Sequence, residues 1–145
     1  MIRLVMSETY DVPDELLYTK DHEWVLPEKK YVIVGITDYA QKKLREIIYV
    51  ELPHINTKVR AREVLGTVES VKSTADVLSP VSGRVVEVNS KLLDHPEILN
   101  ESPYTEGWIA KIELSDPSEL DKLLDADEYR RFLEELEEEK SEEEM

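Results

Sequence analysis

Between Tyr31 and Leu114 the chain is cut into short runs of β-branched and aromatic residues, and this punctuation constrains the fold more than any other feature. Tyr31–Ile36 (YVIVGI), Ile47–Leu52 (IIYVEL), Glu63–Val68 (EVLGTV), Ala75–Leu78 (ADVL), Arg84–Val88 (RVVEV) and Gly107–Leu114 (GWIAKIEL) read as strands. Strands do not alternate with long helical patterns, so a doubly wound parallel sheet has no support. Many short strands with turns between them imply a sandwich or a small barrel. Ser79-Pro80-Val81-Ser82-Gly83 reads as one such turn, with Pro80 setting φ and Gly83 permitting φ > 0.

Helical signals flank the strands. Thr37 is placed to cap a helix running through Tyr39, Ala40 and Leu44. Asp116-Pro117-Ser118-Glu119 combines an N-cap acid, a first-turn proline and a glutamate at the reciprocal capping position. Leu120, Leu123 and Leu124 would then face the core. Tyr129, Phe132, Leu133 and Leu136 fall at helical spacing on one face. The expected organisation is an N-terminal extension over 1–17, partly flexible, a domain over 18–133, and an acidic tail over 134–145, frayed or disordered. Met6 is a candidate initiator.

Charge and composition remove whole classes of function. The 145 residues carry a formal net charge of −15, which disfavours nucleic acid and anionic membranes as partners. The tail contributes eight glutamates and one lysine to that balance. No cysteine is present, which excludes disulfides, thiol nucleophiles, thiolate zinc sites and Cys-held iron–sulfur clusters. His22, His54 and His95 lie 32 and 41 positions apart, with no local metal-ligand spacing. There is no GxSxG elbow and no phosphate-binding glycine loop. Nothing resembles a secretory signal or a membrane span, so a soluble cytoplasmic chain without its own catalytic centre is expected.

One segment carries more information. A strand ending at Glu69-Ser70, then Val71-Lys72-Ser73, then a strand from near Ala75, places Lys72 at a hairpin tip. Spacing alone favours an ordinary solvated lysine, a reading that nearly any hairpin lysine would fit. However, Glu69-Ser70-Val71-Lys72, followed by Ser79-Pro80-Val81-Ser82-Gly83, resembles the lipoyl-attachment segment of the glycine cleavage system H proteins. Tyr18-Thr19-Lys20-Asp21-His22-Glu23-Trp24-Val25 resembles that family's N-terminal HEW signature. Val34 to Gln41 (VGITDYAQ) and Pro96 to Tyr104 with Gly107-Trp108 resemble two further signatures, in the same order. The resemblance spans about Tyr18 to Phe132.

The resemblance implies a mainly β fold with accessory helices. It would be a barrel-sandwich hybrid, a flattened antiparallel β-barrel of the biotinyl-lipoyl type, with a C-terminal helix. It implies lipoate joined to Lys72 as the cofactor, and a carrier role in place of catalysis. The carrier would take the aminomethyl group of glycine from the pyridoxal-phosphate P-protein. It would deliver that group to the T-protein, which passes the carbon to tetrahydrofolate, and be reoxidised by the L-protein, a dihydrolipoamide dehydrogenase. Glu69 would serve recognition by the lipoyl ligase or transferase. Glu23 and Asp76, with Asp21 beside them, would face a cleft that shelters the cationic arm, and His22 and Trp24 would support that cleft. A monomer is expected.

The sequence departs from the family pattern at several positions. Leu44-Arg45-Glu46 stands where Leu-Gly-Asp/Glu is usual, which predicts a helix continued by about a residue without a positive-φ break. Ser73, Thr105 and Asp21 also depart, and the acidic tail is long. These departures keep two alternatives open: an H-like lipoate carrier of another pathway, such as sulfur oxidation, and an unmodified interaction module. A biotin carrier ranks below both, because Val71 and Ser73 flank the lysine where methionine is usual.

Overall fold

The computed structural model describes residues 9–143, and within them nine strands form two antiparallel sheets. The larger sheet contains β1 (Leu17–Tyr18), β2 (Glu23–Glu28), β3 (Tyr31–Ile36), β5 (Lys58–Val59), β8 (Gly83–Val88) and β9 (Ala110–Leu114). Its strand order is β1-β2-β3-β9-β8-β5. The smaller sheet contains β4 (Ile47–Glu51), β6 (Val64–Ser70) and β7 (Thr74–Leu78), in the order β4-β6-β7. Alternate side chains from both sheets, among them Val32, Val34, Val68, Val77, Val85 and Ile112, fill one core between them. The expected mainly β sandwich is therefore observed, with four α-helices added: α1 (Asp38–Leu44), the single turns α2 (Lys91–Asp94) and α3 (Ile98–Glu101), and α4 (Ala126–Glu143).

A second apolar layer lies on the far side of β1–β3. Val12, Leu16, Tyr18 and Trp24 pack there against Ala126, Tyr129 and Leu133 of α4. The Tyr18 and Tyr129 rings stack with centroids 4.5 Å apart. Trp24 lies against Gly35 on the neighbouring strand, where an added Cβ would come within 2.6 Å of the indole. This layer explains why β2 escapes a sequence reading. Glu23, Trp24 and Val25 are all buried, so the strand loses period-2 alternation. Pro27 also argues against a strand, but β1 pairs only as far as Val25, so Pro27 faces an open edge. The β2–β3 turn, Lys29-Lys30, has no turn-forming residue, and Lys29 adopts φ 55°.

Parts of both terminal segments are packed or helical among the described residues. Val12 and Leu16 are buried, so the segment before Tyr18 is part of the packed layer. Residues 1–8, including Met6, lie outside the described residues, as do 144–145. Helix α4 runs through Glu143, so it continues beyond residue 133, where the acidic tail was placed. Its acidic turns are held by contacts that the composition does not reveal. Glu137 accepts from the Tyr10 hydroxyl and lies 3.8 Å from Lys43. No helix among the described residues is long and apolar enough to cross a membrane.

Three local expectations are corrected. The segment after Asp116 is a 3-10 helix, Pro117–Lys122, capped by Asp116 as expected. Glu119 does not cap it, because its carboxylate instead accepts from the Ser82 backbone N–H and hydroxyl. Gly83 does not supply a positive φ. It opens β8 where a Cβ would come 2.1 Å from the Glu113 carbonyl, so close approach requires glycine there. Helix α1 is capped by Thr37 but is not prolonged through Arg45. Arg45 terminates it at φ 71° and ψ −149°, a conformation that favours glycine.

Asn100 holds Arg45 in that conformation. Its amide donates to the Arg45 carbonyl (2.8 Å) and to Gln41 Oε1, while its Oδ1 accepts from the Ile47 N–H. Relief of strain of about 1–3 kcal/mol outweighs the extra unfolded-state freedom of glycine, about 0.5–1 kcal/mol. Arg45→Gly is therefore expected to stabilise the protein by about 1 kcal/mol, read as a higher denaturant midpoint at unchanged slope. A lower midpoint for Arg45→Gly than for Arg45→Ala would contradict this assignment.

Candidate functional site

Lys72 occupies the tip of the β6–β7 hairpin, as the spacing predicts. Glu69 pairs with Thr74, and Ser70 shapes the turn between them. Its buried hydroxyl accepts from the N–H groups of Lys72 (3.1 Å) and Ser73 (3.0 Å), and its own N–H donates to the Ser73 carbonyl (2.7 Å). Val71 N–H donates to the Glu46 carbonyl, which ties the tip to the segment before β4. Among the described residues the Lys72 ammonium makes no hydrogen bond or ion pair. An exposed, unengaged amine thus stands on a turn whose backbone is fixed on both sides.

Beside the hairpin, a cleft of about 190 Å³ opens between α1, the loop entering β2, and β7. Asp21, His22, Glu23, Tyr39, Lys43 and Asp76 line it over apolar walls that include Ile36, Val68 and Val77. The structure therefore brings Asp21, Glu23 and Asp76 to one cavity across more than fifty residues of sequence. Their environments differ. Glu23 is 2% exposed and bridges the two sheets, accepting from Thr19 Oγ1 and from the Leu78 N–H (3.2 Å). Asp76 is exposed on the edge strand β7 at the rim. Asp21 forms an ion pair with Arg62 at 2.7 Å, so its charge is already matched. Glu69 lies outside the cleft, on the outward face of the smaller sheet in line with Tyr49 and Thr74.

Several residues around the cleft were missed from sequence, and some of them gather on His22, which the resemblance had placed there. His22 takes φ 71°, places Nδ1 2.8 Å from the Tyr129 hydroxyl, and stacks on Tyr39 at 4.3 Å. The same hydroxyl lies 2.8 Å from Thr37 Oγ1, so one buried network joins α4, the cleft loop and the cap of α1. No local signal marks Tyr129, Tyr39, Arg62 or Lys43, because their partners are remote in sequence. Trp24 does not line the cleft. It lies behind it, donating from Nε1 to the Pro103 carbonyl.

Comparison with known proteins shows the same pattern at the level of whole chains. A family model described as Glycine cleavage H-protein matches residues 16–136. A glycine cleavage system H protein of Coprothermobacter proteolyticus is 54% identical, over 84% of this chain and 97% of its own. One from Halothermothrix orenii is 46% identical, over 88% of this chain and 99% of its own. Among solved structures, a glycine cleavage system H protein from Mycobacterium marinum superposes with a TM-score of 0.75 at 36% identity, covering 81% of this chain and 95% of that one.

Burial sets the electrostatics of the cleft. It lifts the Glu23 carboxyl to about 7, against the opposing effect of its hydrogen bonds from Thr19 and Leu78. Burial also lowers His22 to about 4, so the imidazole is neutral near pH 7. The two shifts act on stability with opposite signs. Glu23, raised from 4.5, contributes stability that is present below pH 4.5 and lost as pH rises through about 7. His22, lowered from 6.5, contributes stability that is present above pH 6.5 and lost as pH falls through about 4. Denaturant titrations between these limits are expected to give a shallow pH dependence for the native protein. Glu23→Gln should then expose a rise of stability with pH and His22→Asn a fall. The same slope in both variants would contradict the assignment.

Proposed function

The chain belongs to the glycine cleavage H-protein family, and on that premise we propose that Lys72 is the residue through which it carries lipoate in glycine cleavage. The observation that carries this reading is the unengaged amine at the tip of a fixed hairpin, inside the matched region. The residues suit the group. Lys72 offers an accessible nucleophile for an amide, and modification there removes one positive charge without disturbing an ion pair. Lipoate supplies the pair of sulfurs that a chain without cysteine lacks.

The chain's own residues then position and shelter the cargo. Ser70 and the Val71–Glu46 hydrogen bond hold the base of the arm in place. The apolar walls of the cleft exclude water from a group folded back against them. Because Arg62 already engages Asp21, Glu23 and Asp76 are the carboxylates left to balance a cationic cargo. Attachment by a tether raises the effective concentration of the arm at each docked active site. The partners on this reading are the P-, T- and L-proteins and a lipoyl ligase or transferase, with Glu69 in the ligase's recognition. The protein is a non-catalytic carrier with a cytoplasmic location. The relatives described above are all named for glycine cleavage, and none favours the sulfur-oxidation or unmodified-module alternatives.

Peptide mass mapping of protein produced with lipoate supplied is expected to find a lipoyl-sized addition on Lys72 and on no other lysine. Lys72→Ala should abolish that addition and all carrier activity. It should change stability by no more than about 0.5 kcal/mol, as for an exposed side chain without partners. An unmodified Lys72 in the native protein would remove the reading.

A further inference from the structure

The outward face of the three-stranded sheet has features that packing does not require. Among the described residues, six large apolar side chains are exposed, and four of them, Ile48, Tyr49, Val64 and Val71, belong to this sheet or its hairpin tip. Tyr49 is 53% exposed and Ile48 48%, although they are consecutive in a strand, where one should turn inward. A register irregularity between Ile47 and Tyr49 turns both outward. Across the sheet, Tyr49, Glu69 and Thr74 form one row, and Glu51, Thr67 and Asp76 the next. The carboxylates of Glu51, Glu69 and Asp76 make no ion pair or hydrogen bond with another described residue, and the three strands contain no basic side chain.

The geometry also limits how a protein can reach Lys72. A stable interface covers about 800 Å² on each partner, far more than one lysine, so its footprint must spread to one side of the hairpin. The inner side is closed by the larger sheet, and the Glu23–Leu78 hydrogen bond crosses it. The outer face is open and continuous with the tip through Val71, which is 61% exposed.

We propose that this face, formed by Ile48, Tyr49, Glu51, Glu69, Val71 and Asp76, is the docking surface for the enzyme that acylates Lys72. That partner would present an apolar hollow rimmed by arginine and lysine side chains. The proposal rests on the assignment of Lys72 as the attachment site. Tyr49 and Ile48 supply desolvated contact area, and the unpaired carboxylates orient the partner and speed its approach. The acyl transfer forms the amide C–N bond at Lys72 Nζ as the acyl–oxygen bond of the activated lipoate, its adenylate from ATP, breaks. AMP leaves with the bonding pair, and the amine's surplus protons pass to solvent.

The test is the initial rate of Lys72 acylation in the full chain by a purified lipoate–protein ligase with saturating lipoate and ATP. Tyr49→Ser is expected to raise the KM for the carrier at least fivefold with kcat changed less than twofold. Glu51→Gln combined with Asp76→Asn should raise KM severalfold and flatten its dependence on salt. Glu135→Gln combined with Glu139→Gln removes the same net charge from α4 and should leave KM unchanged. Thermal unfolding checks that each variant is folded, and the two face variants alter different side chains, so either one alone is informative. A KM within twofold of the native value for both face variants, with the native protein fully lipoylated, would overturn the docking surface and leave the carrier reading intact. An equal effect from the α4 variant would assign the result to overall charge and overturn it as well. A native protein that dimerises at assay concentration, with Tyr49→Ser monomeric, would give the face to a second copy instead. Native protein left unmodified at Lys72 would overturn the carrier reading and this proposal together.

Discussion

The carboxyl of Glu23 joins the two sheets at the point where the cleft opens. One oxygen is held by Thr19 within the loop that enters β2, and the other accepts from the backbone of Leu78 at the end of β7. The edge strand carrying Asp76, and through β6 the hairpin carrying Lys72, is thereby set against the larger sheet. An isolated charge buried to this degree is costly, so the group is satisfied by hydrogen bonds and its proton affinity rises. The side chain that clamps the two sheets also lines the cleft. A carboxyl poised near neutrality can meet a cation without a large change in the surrounding bonds.

The backbone departs from common usage in a consistent direction. Among the described residues every positive-φ position is occupied by a side-chain-bearing residue: His22, Lys29, Arg45, Asn56 and Arg62. The four glycines serve close approach, against the Trp24 ring at Gly35 and against backbone carbonyls at Gly66, Gly83 and Gly107. His22 lines the cleft, and Arg62 pairs with Asp21, another of the cleft's lining residues. Conformations of this kind persist where surrounding contacts over-determine them. Around His22 those contacts are the Tyr129 hydroxyl and the Tyr39 ring, and at Arg45 the Asn100 amide.

The amide side chains illustrate the same economy. Asn100 links α3, α1 and β4, Gln41 bonds Asp38 within α1 and accepts from Asn100, and Asn89 donates to the carbonyls of Glu106 and Trp108. These bonds satisfy buried backbone groups where helices and loops close the ends of the sandwich. They leave the tip of the hairpin held by its own turn and the Val71–Glu46 bond. That arrangement keeps the Lys72 side chain accessible.

Much of the fold was legible in the sequence. Six strands were recognised because each has β-branched residues between turn signals, and Thr37 and Asp116 were recognised as caps because capping is local chemistry. The position of Lys72 at a tip followed from two strands and the three residues between them. Strand β2 was hidden by burial on both faces, and Arg45 and Glu119 were misjudged because Asn100 and Ser82 act from distant segments. By itself the sequence determined the local elements, the absence of cysteine and the place of Lys72 between two strands, since these depend on composition and on neighbours in the chain. Only the tertiary structure decided which acids remain free, which aromatics build the cleft and which face of the hairpin is open. Those properties depend on burial and on partners brought together from far apart, and no local pattern encodes them.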